Sequence, residues 1–307
     1  MASNTHSSDI NEIMLTYYLS NKNWKVVHEK RYVKEILKNR KKDVDSYTIK
    51  MKTEQAKEQA KCIMSWCRKN GYKAKIKQVY WTGRQGLLSE SIGQYVSKRK
   101  NPTDVLLEFC DGQFLGISSK STFGKDEVPF KNLGLGTIDK ILNTDFKNSA
   151  NKKEDVIISE LNLPRCKKNR KEFLRKNKSV KQTTSKLGKQ VLTNIRNEVY
   201  RKIKKMLKND LEKHILKTWL DSRENSFPKY IKVTAMGSEK PFNIKIEDPI
   251  KNTRTDNIRN AKNINAEKVG DMSIGILADD ERVLKIRVKY ESEKIASSLK
   301  FSGDPWK

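Results

Sequence analysis

Asp104, Ser118 and Lys120 have the types and spacing for chemistry on a phosphodiester. Cutting that bond needs carboxylates to fix a divalent cation, a water activated in line, and a positive charge to meet the negative charge that develops. A β-hairpin supplies all three compactly, with an acid early on its first strand and acid-x-Lys on the second. Strand alternation puts both ends of that tripeptide on one face of the sheet. Here Asp104 opens the apolar run DVLLEFC, which ends at Cys110. Asp111-Gly112 follows, a dipeptide that favours a two-residue turn with positive φ at both positions. The run QFLGIS, Gln113 to Ser118, then returns and continues into Ser119 and Lys120. Ser118 and Lys120 share a face, with Ser118 where the second acid would stand.

Through Pro102-Thr103-Asp104 and Ser118-Ser119-Lys120, the stretch 85–125 resembles the PD-(D/E)xK, or restriction-endonuclease-like, nuclease superfamily, in a Ser-x-Lys variant. Two departures stand out: Thr103 separates the proline from Asp104, and Ser118 replaces the usual Asp or Glu. The resemblance implies an α/β fold with a mixed sheet flanked by helices. It implies an endonuclease that uses Mg²⁺, for which Mn²⁺ can substitute, and that cuts DNA more readily than RNA. Asp104 and Glu90 would bind the metal, with the Ser119 carbonyl completing the set. Lys120 would sit by the attacking water, and Ser118 would hold a water or a phosphate oxygen. Glu90 enters because family members place a metal-binding Glu on the preceding helix. Glu108, with the strand parity of Asp104, is the second choice and Glu127 the third. Glu12, on the first helix, could also approach. Enzymes of this kind often act as homodimers to cut two strands.

Ser-x-Lys is a cheap motif in so lysine-rich a chain. It recurs at Ser179-Val180-Lys181, Ser238-Glu239-Lys240 and Ser298-Leu299-Lys300, and Asp145-Phe146-Lys147 is an acid-x-Lys. Lys120 differs in following an Asp-bearing strand, a tight turn and an apolar partner strand. The competing readings are an inert surface hairpin, a non-catalytic nucleic-acid-binding protein (packaging, nucleoid or replication complex) in which Ser118 marks a lost acid, and an RNA endonuclease.

The elements that would position these residues begin with a helix starting at Ser8-Asp9 and carrying Ile10, Ile13, Met14, Tyr17 and Tyr18. A second helix runs over about Val26 to Leu37, and a third from Thr53 to Gly71. A strand is expected over 75–81, a helix over 86–98, a loop over 119–136, and short helices near 137–142 and 154–162. Leu187, Val191, Ile195, Val199, Ile203, Leu207, Leu211, Ile215 and Trp219 form one stripe, so Lys186 to Leu220 reads as a single long helix. After Pro228, strand patterns over 230–235, 242–246, 272–277 and 283–290 suggest a small antiparallel β region. The expected organisation is an α/β core in 1–160, a basic helical segment in 161–227 and the β region in 228–307, packed on the core.

Net charge is +28, from 65 Lys and Arg against 37 Asp and Glu. Residues 22–77 hold 18 basic and 6 acidic side chains, 78–164 hold 11 of each, and 165–217 hold 19 basic and 4 acidic. A neutral middle that can gather carboxylates thus lies between two basic arms suited to a phosphate backbone. The nucleic-acid contacts, most simply to double-stranded DNA, are expected from Lys167, Lys168, Arg170, Lys171, Arg196, Arg201, Lys202, Lys204, Lys205 and Lys208. Trp24, Tyr80, Trp81 and Trp306 could stack bases, although packing explains each of them more simply. No apolar run of about 18 residues spans a bilayer, and the opening residues lack the pattern of a secretory signal. Four cysteines without Cys-x-x-Cys, and three scattered histidines, disfavour structural zinc and suggest reduced thiols in a cytoplasm. No GxxxxGK[ST] loop, dinucleotide fingerprint or local Ser-His-Asp set is present. Abundant Lys, Asn and Ile is what an AT-rich genome produces, as in a phage or a low-GC microbe; for a phage protein the compartment is the host cytoplasm.

Overall fold

The chain builds two units in four alternating segments: 1–128 and 221–252 form the first, 129–220 and 253–307 the second. A computed structural model describes residues 4–84, 86–97, 101–124, 128–222 and 226–306. In chain order the elements are α1 (Asn4–Leu19), α2 (Lys30–Lys42), α3 (Ser46–Lys69), β1 (Ile76–Trp81) and α4 (Leu87–Ile92). Then come β2 (Val105–Phe109), β3 (Phe114–Thr122), β4 (Lys131–Gly134), α5 (Leu135–Leu142), α6 (Phe146–Glu160), α7 (Lys167–Lys176), α8 (Lys178–Lys204) and α9 (Lys208–His214). The last are β5 (Tyr230–Met236), β6 (Asn243–Glu247), α10 (Thr253–Asn260), β7 (Ile264–Val269), β8 (Ser273–Ala278), β9 (Glu281–Tyr290) and β10 (Leu299–Pro305). The class is mixed α/β, with two five-stranded sheets among the described residues.

In the first unit the sheet order is β1-β2-β3-β5-β6, with all neighbours antiparallel except β3 and β5, which are parallel. α1 and α3 cover one face, where Ile10, Ile13, Ile63, Val79, Leu107 and Ile117 share a core. Tyr80, Leu88 and Leu106 pack on the other face, under α4. α1 begins before Ser8, so Asp9 lies inside the helix, buried and paired with Arg40 Nε at 2.7 Å and with Arg84 Nη2. α3 starts at Ser46 rather than Thr53, because Asp45 caps it by accepting from Thr48 N at 2.8 Å. α4 stops at Ile92, where Gly93 takes φ +69° as a left-handed cap.

The hairpin forms where expected but turns differently. The turn closes with Gly112 N donating to Phe109 O, and Gly112 takes φ +82° while Asp111 stays out of the left-handed region. That is a three-residue loop, Cys110 to Gly112, ending in a left-handed glycine, in place of a two-residue turn with both φ positive. Beyond it β3 runs on to Thr122, so Ser119 and Lys120 lie on the returning strand and the expected loop over 119–136 begins later.

The strands after Pro228 divide between the two sheets instead of forming one region. β5 is buried along nearly its whole length, as suits a central strand with a parallel partner, and it lies beside β3. In the second unit the sheet order is β4-β10-β9-β8-β7, all antiparallel. The expected long helix is three pieces: α8 ends at Lys204, α9 begins at Lys208, and Ile215–Trp219 is a π-helical turn. Leu207 falls in the break as the N-cap of α9 and is 75 % exposed, so it leaves the stripe that its spacing suggested. α7 falls in the basic segment expected to be helical, β4 stands within the expected loop over 119–136, and α10, β7 and β10 lie outside the elements expected from the sequence. Among the described residues no helix is long and apolar enough to cross a membrane.

Candidate active site

Asp104 sits at the mouth of β2 with its backbone fixed on both sides. Its N–H donates to Ile117 O at 2.8 Å, and its carbonyl accepts from Thr82 N at 2.9 Å. The approach is equally constrained: Asn101 donates to Pro228 O at 2.8 Å and accepts the Thr103 hydroxyl at 2.6 Å. Gly116 on the neighbouring strand must lack a side chain, since a Cβ there would run into Thr103 Oγ1 and Tyr230. The Asp104 carboxylate, 9 % exposed, accepts from Ser119 N at 3.0 Å and from Lys120 Nζ at 3.3 Å. The hairpin register continued one step places Ser118 opposite Asp104, so the two share a face with Lys120.

Lys120 keeps about half of its side-chain surface (50 %). Desolvation in the crowded site disfavours its charge. The carboxylates of Asp104 and Glu12 outweigh that effect and hold its pKa above the ordinary lysine value. The ammonium is therefore the form present at neutral pH.

Glu12 is the acid that α1 delivers to this site. It is 8 % exposed, and its Oε2 accepts from Trp81 Nε1 at 3.1 Å. Gly83 leaves the space that this carboxylate occupies, for a Cβ at 83 would overlap Glu12 Oε2. Behind the site lies a buried amide network. Asn11 accepts the Ser119 hydroxyl at 3.0 Å and donates to Gln59 Oε1 at 3.2 Å. Gln59 Nε2 reaches Ser119 Oγ, Lys120 O and Val233 O at 3.0 to 3.2 Å, which ties β3 to β5 directly behind Lys120. The Ser119 side chain is therefore a support, with its hydroxyl facing the helices. Asn11 and Gln59 escaped the sequence reading, although polar Asp9, Asn11 and Glu12 amid Ile10, Ile13 and Met14 were a visible interruption of an apolar stripe.

Two other proposed acids lie elsewhere. Glu108 shares the face of Asp104 but stands four residues away, about 13 Å along the strand. It is held there by Lys77 at 2.5 Å and the Tyr80 hydroxyl at 2.6 Å. Although burial favours its neutral form, those two partners bring its pKa below the usual carboxylate range. Glu90 is exposed and lines a separate cleft with His28, Tyr32 and Trp81. Glu127 lies outside the described residues. No group of three or more acidic, His or Cys side chains able to hold a metal forms among the described residues. Asp104 and Glu12 nonetheless suit a hard cation, since Mg²⁺ is commonly held by one or two carboxylates and keeps several waters.

Of the expected phosphate contacts in the second unit, Lys167, Lys168, Arg201, Lys202, Lys204, Lys205 and Lys208 are exposed. Lys171 is half-buried and donates to Ser292 Oγ at 3.2 Å. Arg170 is a structural residue, 2 % exposed, and donates to the carbonyls of Ile295, Pro164 and Arg165. Arg196 is buried as well. The ring of Tyr200 carries the ammonium groups of Lys204 and Lys268, 5.7 and 5.3 Å from its centroid.

Comparison with protein-family models, with curated proteins and with solved structures gives no match to the chain.

Proposed function

We propose that the chain is a Mg²⁺-dependent endonuclease of restriction-endonuclease-like type, acting on DNA. The observation that carries this reading is the pairing of Asp104 with Lys120 at 3.3 Å, with the Glu12 carboxylate near enough to raise the Lys120 pKa, at the open end of a hairpin that bears Asp and Ser-x-Lys. Glu12 takes the part of the acid missing at Ser118, in preference to Glu90 or Glu108. The order of the first sheet, with β3 parallel to β5 and antiparallel to β2, is compatible with the mixed sheet that the resemblance implies.

Asp104 and Glu12 would hold the cation, which when bound polarises a phosphoryl oxygen and lowers the pKa of a water. Lys120 lies against the Asp104 carboxylate, with its positive charge facing the site. It orients the attacking water and offsets the charge that grows on the phosphoryl oxygens. The Ser118 hydroxyl can donate to a phosphate oxygen. Trp81 and Gly83 fix Glu12, and Asn11 and Gln59 fix the strand that carries Lys120. The exposed lysines of the second unit supply sequence-independent attraction to the backbone.

Supercoiled plasmid incubated with Mg²⁺, with Mn²⁺ or with EDTA tests the reading. Nicking or linearisation should require the metal and should be abolished by Lys120→Ala or Asp104→Ala, while a mobility shift persists in both variants. A mobility shift without cutting under either metal would make the protein a non-catalytic binder and Ser118 the trace of a lost acid.

A further inference from the structure

A cleft of about 160 Å³ opens in the first unit beside α2, β1 and α4. Its floor is apolar: Val33 and Trp81 are buried and Leu87 is half-buried. Its rim is polar, formed by the exposed residues His28, Tyr32 and Glu90. The Tyr32 ring, 42 % exposed, stands 6.4 Å from the Trp81 ring, centroid to centroid. These parts are held firmly. Arg84 lies 5.2 Å from the Trp81 ring, and the ring's Nε1 is bonded to Glu12. His28 is fixed by Gln78 at 3.3 Å and by the ring of Tyr80.

The volume suits one aromatic ring system: an apolar cavity of roughly 150 Å³ takes up benzene. It is too small for a base pair. Two carboxylates, Glu29 and Glu90, stand on the rim and repel phosphate, unlike the rest of this strongly basic chain. A carboxylate accepts hydrogen bonds only, so it favours a projecting exocyclic amine over an edge such as that of thymine, whose one N–H lies between two carbonyl oxygens that repel it. Aromatic walls, an apolar floor and two acceptor-only carboxylates on the rim together describe a receptor for a heterocycle bearing an amino group. Trp81 connects this cleft to the candidate active site, because its ring forms the floor while its Nε1 holds a carboxylate that acts on Lys120.

We propose that the cleft between Tyr32, Trp81 and Glu90 binds a single unpaired nucleobase carrying an exocyclic amine (cytosine, adenine or guanine) in preference to thymine. As a statement about substrate, this rests on the nuclease reading. It makes the preferred substrate a single-stranded or locally opened site, since a cleft of this size cannot admit a base still paired to its partner. Loading the cleft also presses on the residue that fixes Glu12, so base recognition and cutting share one side chain.

The test uses the full chain in EDTA with free nucleosides, so that neither metal nor phosphate contributes. Tryptophan fluorescence is followed as cytidine, adenosine or thymidine is added. Saturable quenching by cytidine and adenosine is expected, with thymidine at least about tenfold weaker. Trp81→Phe should abolish the response. Tyr32→Ala, on an exposed ring that folding does not need, should weaken binding about tenfold, the loss expected from one base–aromatic stack. Glu90→Gln should erase the discrimination against thymidine. Absence of saturable quenching, a response that survives Trp81→Phe, or thymidine binding as tight as cytidine overturns the proposal. Lys120→Ala separates the two readings: it should keep nucleoside binding and lose plasmid cutting. A wild-type chain that binds cytidine yet never cuts would sink the nuclease and leave the base site standing.

Discussion

His214 gives the second unit a defined sensitivity to acid. The ring is 6 % exposed, and its Nε2 accepts from Trp219 Nε1 at 3.2 Å, so the neutral ring carries its proton on Nδ1, which has no partner. Protonating Nε2 would bring two N–H donors face to face. Burial pushes the pKa from 6.5 down to about 4. Above pH 6.5 the ring is neutral in both folded and unfolded chains and contributes nothing to pH dependence. Below 6.5 the unfolded chain takes up a proton that the folded chain refuses, and stability falls by about 1.4 kcal/mol per pH unit until roughly pH 4. The full loss is on the order of 3 kcal/mol, a large part of a typical domain's margin. His214→Gln keeps an acceptor for Trp219 but does not titrate. Urea unfolding followed by tryptophan fluorescence and far-ultraviolet circular dichroism from pH 7.5 to 4.5 should show the native protein losing about 2 kcal/mol more than the variant between pH 6.5 and 5. Parallel curves would refute the reasoning, because carboxylates that titrate in that range are common to both proteins.

Gly83→Ala should push the Glu12 carboxylate off Trp81 Nε1 and slow plasmid cutting about a hundredfold, the scale of a 1 Å misplacement, with the mobility shift unchanged. Gln59→Ala leaves buried acceptors on Lys120 and Val233 without their donor and should cost about 1–3 kcal/mol in urea unfolding. Lys204→Gln and Lys205→Gln should each reduce the slope of log K against log salt for DNA binding by about 0.9. Arg170→Met should leave that slope unchanged while destabilising the chain, as three carbonyls lose their donor.

What could be read from the sequence was local. Asp-Gly between two apolar runs located the hairpin, and alternation along it brought Ser118 and Lys120 to the side of Asp104, because those signals act within a few residues. The second acid was harder: Glu12 lies more than ninety residues from Asp104 in the chain, and only the packing of α1 on the sheet singles it out over Glu90 and Glu108. The stripe from Leu187 to Trp219 concealed a break, since Leu207 keeps the period while its side chain leaves the core. Charge alone could not separate Arg170, committed to three carbonyls, from Lys167 and Lys168 beside it. Nor could local pattern assign β5, whose apolar run fits either sheet.

The pairing of β5 with β3 has a consequence for synthesis. Gly116 and Tyr230 are partners although more than a hundred residues separate them. At about 5–20 residues per second, a ribosome would hold the meander of β1, β2 and β3 open along β3 for roughly 5–20 s before its neighbour emerges. An unpaired strand edge is a template for the wrong partner, and natural edges are blunted by polar and charged side chains. The waiting edge runs from Gly116 to Thr122, and after Ile117 it reads Ser118-Ser119-Lys120-Ser121-Thr122, all polar. The residues proposed for cutting would thus also keep the nascent chain from aggregating, and a hydrophobic replacement at Ser118 or Ser121 should lower the yield of soluble protein more than its effect on the finished fold would suggest.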